Sequence, residues 1–356
     1  MKILIIGLGY AGNRYRRAFE HIAASTGMQL SQAYVGRNQK PTELPYFNTI
    51  GVALTAFVPN IVVVSVNDRN HAPVLQQLAG FRGFVICEKP LVTPRDDLRT
   101  LLEALKNVSG FALNLVERYS DASRQLREWV ERHDWQLVRA SFHWGKDRIN
   151  DYRPTCGVTS EVIHALDLLS WVCPRAGQLS LHGALGVRSD FSISGNEVLD
   201  TVQLTASLGE ARVTGYSSFV NIVRQRTVDF SFVDRESQLI HARLVFDTPR
   251  WDHDQLQIWT RSANGAEQLL HQFATAPNEP GLDTLHKLSR LCLQVVRAVA
   301  LKEPPRQPFA CIDTAMELQR LLNDLDTHAQ TPPPARYVHG DMRVLLPENS
   351  DLESLG

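Results

Sequence analysis

Residues 1–19, MKILIIGLGYAGNRYRRAF, decide how the rest of the chain is read. Ile3, Leu4, Ile5 and Ile6 form a continuously apolar run with no polar face, the pattern of a strand buried on both sides of a parallel sheet. Gly7, Gly9 and Gly12 follow at the spacing of a strand-turn-helix crossing. Gly7 permits a tight turn, Gly9 lets a pyrophosphate approach the backbone, and Gly12 lets the helix lie close on the sheet. Helical sequence runs on from Asn13 to Ala24, and the free amides at the helix start, around Tyr10 and Ala11, face phosphates. A glycine turn alone also occurs as a purely structural element. Its place between an apolar strand and a helix points to a bound dinucleotide.

The next strand lies within Gln29–Val35. A fold that takes NAD places a carboxylate at the end of this strand for the ribose hydroxyls, and none is present. The chain continues Gly36-Arg37-Asn38 and then Lys40. Arginine pairs with a 2′-phosphate through charge-assisted hydrogen bonds, so the expected cofactor is NADP, with NAD less favoured. The alternative is an Arg37 that points into solvent.

Ile61–Val66 is a third apolar strand, and it delivers Asn67 and, at the start of a helical stretch, His71 to the strand-end border where open α/β sheets bind ligands. His71 reads either as a cofactor contact or as an ordinary helix-terminal histidine. Gly83–Cys87 is the fourth strand and ends in Glu88-Lys89-Pro90. Pro90 holds Lys89 extended. Lys89 can polarise a substrate oxygen while Glu88 holds its ammonium; the bland reading is a surface salt bridge. A helix over Asp96–Lys106 and a strand over Gly110–Leu115 complete a dinucleotide-binding domain, residues 1–118, with Arg118 at the junction.

The remainder reads as a second domain, residues 119–310, for substrate and oligomerisation. The helical stretch Ser160–Trp171 sets Ser160, His164 and Asp167 on one face. Histidine is the natural acid/base near neutral pH, and Asp167 on that face can orient it; the alternative is a core helix with a hydrogen-bonded histidine. Alternating segments from Leu179 to Thr260 predict a large, mostly antiparallel open sheet. Leu282–Ala300 is amphipathic and is assigned to this domain. The helix 311–325 is expected to pack back on the first domain, followed by a tail, 329–356.

Composition sets outer bounds. The 356 residues carry 37 basic and 38 acidic side chains, a net charge of −1, with no single-sign block, which disfavours a nucleic-acid partner. No apolar run reaches membrane-spanning length. Five scattered cysteines without metal-like spacing predict free thiols in the cytoplasm and no metal site.

Together the glycine opening, the Val85-Ile86-Cys87-Glu88-Lys89-Pro90 strand end, Arg118-Tyr119 and the His164–Asp167 helix resemble the glucose-fructose oxidoreductase and inositol dehydrogenase family (Gfo/Idh/MocA). The resemblance implies an N-terminal Rossmann domain and a C-terminal α+β domain whose open sheet pairs subunits into a homodimer or homotetramer. It implies hydride transfer between NAD(P) and a secondary alcohol or carbonyl of a small, sugar-like metabolite, with Lys89 and His164 catalytic. Tyr152, Arg153, Ser160, Asp167 and Arg118 would then border the substrate. The cofactor would meet Gly7, Gly9, Tyr10, Ala11, Gly12, Arg37, Asn38, Asn67, His71, Glu88 and Lys89. One departure stands out: many members carry aspartate where this chain has Ser160, which removes a carboxylate beside the histidine. That departure keeps open reduction of carbon–nitrogen double bonds, as the resemblance also keeps open a tightly held, recycled cofactor and a non-catalytic NADP-binding regulator.

Overall fold

The computed structural model describes residues 1–337 except 150–153, 196–197, 263, 276–281 and 283. The described residues divide into two compact units, one within 1–115 and 280–320, the other within 116–279 and 321–337.

The first unit contains β1 (Lys2–Ile6), α1 (Tyr10–Thr26), β2 (Ser31–Val35), β3 (Tyr46–Phe47), α2 (Ile50–Ala56), β4 (Ile61–Val64), α3 (His71–Gln76), β5 (Phe84–Cys87), α4 (Leu98–Leu105) and β6 (Gly110–Leu113). The strands form a parallel sheet in the order β3-β2-β1-β4-β5-β6. This is the Rossmann order, with its switch point between β1 and β4. The apolar runs are fully used: Ile3, Leu4, Ile5 and Ile61 to Val64 have no exposed surface, each side chain contributing about 1.5–3 kcal/mol on burial. On α1 the buried Tyr15, Ala18, Phe19 and Ile22 recur at steps of three and four. Gly27 ends the helix at φ 70°, its N–H bonded to the Ala23 carbonyl. The short β3 and α2 carry too few patterned residues to stand out in the sequence.

The second unit contains α5 (Asp121–His133), β7 (Gln136–Asp147), α6 (Thr159–Val172), β8 (Leu179–Arg188), β9 (Leu199–Leu208), β10 (Ala211–Ser218), β11 (Val220–Val233), β12 (Leu239–Val245), β13 (Gln255–Arg261) and β14 (Glu267–Ala274). They form an eight-stranded sheet ordered β14-β13-β12-β11-β7-β10-β9-β8. Neighbours run antiparallel except β7 and β10. Helices α5 and α6 lie on one face. The other face carries exposed polar residues such as Gln203, Thr205 and Thr214. Edge strand β14 is exposed along most of its length and shows no alternation of buried and open residues, which is why it lacks a strand signature.

One helix departs from its expected grouping, and a second meets it in its first part. Helix α7 (His286–Ala300) belongs to the first unit and packs on α1. Of the apolar face Leu285, Leu288, Cys292, Val295 and Val299 that its periodicity predicts, all but the half-buried Val299 are buried, but periodicity shows that a face exists, not what covers it. Helix α8 (Ile312–His328) is divided between the units after Arg320. In its first part, Gln319 accepts the Val92 amide at 3.2 Å. Residues 329–337 run beside β8 through bridges at Gln330 and Ala335; the rest of the tail lies outside the described residues.

Two substitutions test the packing of these units. A Cβ on Gly12 would sit 2.1 Å from the Gly7 carbonyl oxygen, so Gly12→Ala is expected to lower the melting temperature by several degrees, about 1–3 kcal/mol of overpacking. In the second unit, burial pushes the Asp200 carboxyl above the usual carboxylate range, against the opposing Ser189 and Thr201 hydroxyls. A raised folded-state pKa gives stability that is full below the unfolded value of about 3.9 and is lost as pH rises through the folded value. Asp200→Asn should therefore melt higher than the native chain at pH about 7, with the gap closing toward about pH 4; equal melting at both would contradict it.

Candidate active site

The glycine turn of the first unit assigns each glycine a separate constraint. Gly7 has φ +95°, and a Cβ there would meet Val66 Cγ1 at 2.8 Å. Its N–H bonds the Val35 carbonyl at 2.9 Å, and its own carbonyl accepts the Ser65 hydroxyl at 2.9 Å. Gly12 is held by the close approach described above. A Cβ on Gly9, by contrast, would meet nothing within 4 Å. The protein itself does not require glycine at that position, so the open space above it suits a ligand lying on the backbone. Gly9 caps α1 without a side-chain hydrogen bond, and the first turn contains no acid. The amides and positive end of the helix dipole are left for an anion, so the residues present fit a dinucleotide pyrophosphate. Ala11 lies in that first turn, and Tyr10 accepts the Arg14 guanidinium at 2.7 Å.

At the end of β2, Tyr34 accepts the Lys40 amide at 2.6 Å and Tyr46 donates to the Gly36 carbonyl at 3.2 Å. These bonds pin a turn on which Arg37 and Asn38 are exposed. No carboxylate stands between Gly36 and Lys40. Asn67 is likewise exposed, at the start of a short 3-10 turn.

His71 differs from the expected cofactor contact. Its ring is buried, with Nδ1 2.8 Å from the Pro90 carbonyl and Nε2 3.0 Å from the Val66 carbonyl. Both nitrogens are spent on backbone, so the residue ties the end of β4 to the segment that carries Lys89. Glu88 also differs: its carboxylate accepts Asn114 Nδ2 at 2.6 Å rather than holding the Lys89 ammonium. It faces inward, where burial first and the Glu88 charge second raise the Tyr15 hydroxyl and the Cys87 and Cys292 thiols. Lys89 itself is half-buried and precedes a cis peptide bond to Pro90.

The second unit is arranged around α6, of whose fourteen residues only Ser170 is not buried. Glu161, His164 and Asp167, at steps of three, share a face. Asp167 was expected to orient His164. Both its oxygens are instead taken by Arg118, Nε at 2.8 Å and Nη2 at 2.5 Å. Arg118, expected to border the substrate, is 4 % exposed. A bidentate buried pair of this kind locks the helix to the segment before α5. Glu161 plays the same part on the other side of His164: it accepts Lys146 Nζ at 2.7 Å and Arg226 Nη2 at 3.2 Å. Arg226 also pairs with Asp247. Burial opposes the Arg226 charge, but Glu161, Asp247 and Glu117 outweigh it and hold its pKa above the ordinary value. Ser160 donates its hydroxyl to the Gly157 carbonyl at 2.9 Å. His164 is 6 % exposed and stacks on Trp144, ring centroids 5.7 Å apart and planes at 19°.

Tyr152 and Arg153 lie outside the described residues. Sequence reasoning missed Lys146, Trp144, Arg226 and Asn114, and passed over Glu161. Trp144 and Lys146 alternate on one face of β7, but period two does not reveal which face meets α6. A glutamate three residues before the histidine, in a largely apolar helix, was the available signal for Glu161. Among the described residues no group of three or more His, Cys, Asp or Glu side chains could hold a metal, and no helix is long and apolar enough to cross a membrane.

The glycine cradle and the parallel sheet define a protein with a dinucleotide-binding Rossmann unit joined to a second unit built on an eight-stranded sheet. Residues 1–112 match the model of an oxidoreductase family with an NAD-binding Rossmann fold, Gfo/Idh/MocA. The match covers the first unit's sheet and stops before the second unit begins. Inositol 2-dehydrogenase of Leifsonia xyli subsp. xyli is 28 % identical over 181 residues, 48 % of this chain and 53 % of that protein. The corresponding enzyme of Salmonella typhimurium is 20 % identical over 182 residues. The alignment thus spans about half the length of the curated relatives. A solved structure of UDP-N-acetylglucosamine 3-dehydrogenase from Acidithiobacillus ferrooxidans superposes with a TM-score of 0.69 at 14 % identity, over 92 % of this chain and 97 % of that one. The transcriptional regulator Gal80p from Kluyveromyces lactis does so at 0.70 and 12 %, over 92 % and 89 %. At such identities the likeness is one of fold.

Removing one partner of the Arg118–Asp167 pair leaves a buried charge. Arg118→Leu is therefore expected to destabilise the protein by about 3–5 kcal/mol. The double variant Arg118→Leu/Asp167→Leu should regain most of that loss in chemical denaturation; a double variant no better than the single one would show that the pair is not the lock described here.

Proposed function

We propose that the protein is an NADP-dependent oxidoreductase that moves a hydride to or from the secondary alcohol or carbonyl carbon of a small, sugar-like metabolite. The observation that carries this reading is the open backbone at Gly9, at an uncapped helix start, within a stretch that matches the model of an oxidoreductase family. The exposed Arg37 on a carboxylate-free turn supports the 2′-phosphorylated cofactor. Bound nicotinamide supplies the hydride donor or acceptor. His164 takes the hydroxyl proton at its imidazole on oxidation and returns it on reduction. The Lys89 ammonium donates to the substrate oxygen and stabilises the charge that develops there.

The first unit then serves as the dinucleotide-binding domain and the second as the substrate domain. The uncovered sheet face of the second unit is where two or four copies would associate. Five free cysteines support a reducing, cytoplasmic setting.

Calorimetric titration of cofactor-stripped protein with NADPH, NADP, NADH and NAD tests the cofactor. NADP and NADPH should bind at least about tenfold tighter, the worth of one charge-assisted contact. Arg37→Ala should remove that preference while leaving NADH affinity unchanged. Gly9→Ala should melt like the native chain and bind every dinucleotide more weakly. A preference for NAD or NADH would overturn the reading of Arg37.

Turnover is tested by screening polyols, their ketones and cyclic imines with the preferred cofactor. Lys89→Met should bind cofactor normally and lose turnover. Tight binding with no turnover of any compound would instead fit the regulatory reading.

A further inference from the structure

Asp167, on the helix face of His164, gives both its oxygens to Arg118. What the imidazole meets face to face is Trp144, with ring centroids 5.7 Å apart and planes 19° from parallel, within the range of offset aromatic stacking. The platform is itself immobilised. Trp144 has no exposed surface, Phe246 packs against it at 5.5 Å, and the Arg226 guanidinium lies 5.4 Å from its ring centre. Arg226 is in turn fixed by Glu161 of α6 and by Asp247. The helix bearing the histidine and the ring beneath it are thus fastened to each other by the same arginine. The indole Nε1 is buried without a hydrogen-bond partner among the described residues. A buried unpaired donor costs stability that phenylalanine would avoid, so what the indole contributes is its larger face.

We propose that Trp144 is a positioning residue of His164, fixing the plane of the imidazole through ring stacking. The orientation does not depend on any activity; its kinetic consequence rests on the reading of His164 as the acid/base group. A group held by packing within a narrow angle is ready for proton transfer, and misplacement by about 1 Å can cost about 100-fold in rate.

The test uses the full chain with carbon-13-labelled histidine, the His164 Cε1–H signal being assigned by its disappearance in His164→Asn. In the native protein that proton should be shifted upfield by the indole ring current. Trp144→Leu should abolish the shift and Trp144→Phe retain part of it, both variants being checked for a native circular dichroism spectrum. An unshifted signal in the native protein, or the same shift in Trp144→Leu, overturns the proposal. Should Trp144→Leu fail to fold, the native shift and its reduction in Trp144→Phe decide the matter alone.

With the compound selected by the screen above, Trp144→Leu should lose about 10- to 100-fold in kcat, with KM for NADP unchanged, and Trp144→Phe should restore most of it. Unaltered kcat in a folded Trp144→Leu whose ring-current shift is gone would refute the positioning role. Unaltered turnover in His164→Asn would refute the acid/base reading while leaving the ring-current result to judge the stack.

Discussion

Two buried carboxylates on one helix hold the second unit in register. Glu161 and Asp167, three residues to either side of His164, each end in a charge-assisted contact with a cation from another element. Neither contact is cheap, because ions in a protein interior lose hydration that only close, well-aligned partners offset. The consequence is directional: a helix buried on nearly every side could slide or rotate among apolar neighbours of similar size, but two ion pairs flanking one residue admit a single setting. His164 takes its place from that setting, and Trp144 beneath it from Arg226, which shares Glu161.

In the first unit the constraint is steric rather than electrostatic. Gly7 and Gly12 are required by the protein's own packing, whereas Gly9 is not. That contrast separates the residues that shape the turn from the one that leaves room above it. Histidine 71, tied at both nitrogens, extends the same logic to the neighbouring strand end: it fixes the segment carrying Lys89 instead of presenting its own ring.

Some features were legible because they depend on local pattern. Runs such as Ile61 to Val64 announce buried parallel strands because they are short, apolar throughout and rich in β-branched side chains. Side-chain partners were not legible. Asp167 is as compatible with His164 as with Arg118 by helical spacing, and only the fold brings Arg118, 49 residues away in sequence, to its oxygens. Glu88 beside Lys89 invites the reading of an ion pair, yet both lie just past the end of β5, where Glu88 finds Asn114 on the neighbouring segment. The exposed strand β14 left no pattern because an edge strand open to solvent needs none.

The sequence by itself determined the parallel sheet, the glycine turn, the mostly antiparallel second sheet and the identities of Lys89 and His164 as candidates, because periodicity and backbone freedom are properties of neighbours along the chain. The tertiary structure alone decided which charges meet, which unit α7 joins and what lies against the face of His164. Those are outcomes of packing between residues distant in sequence, where many partners satisfy the same local rule and shape selects one.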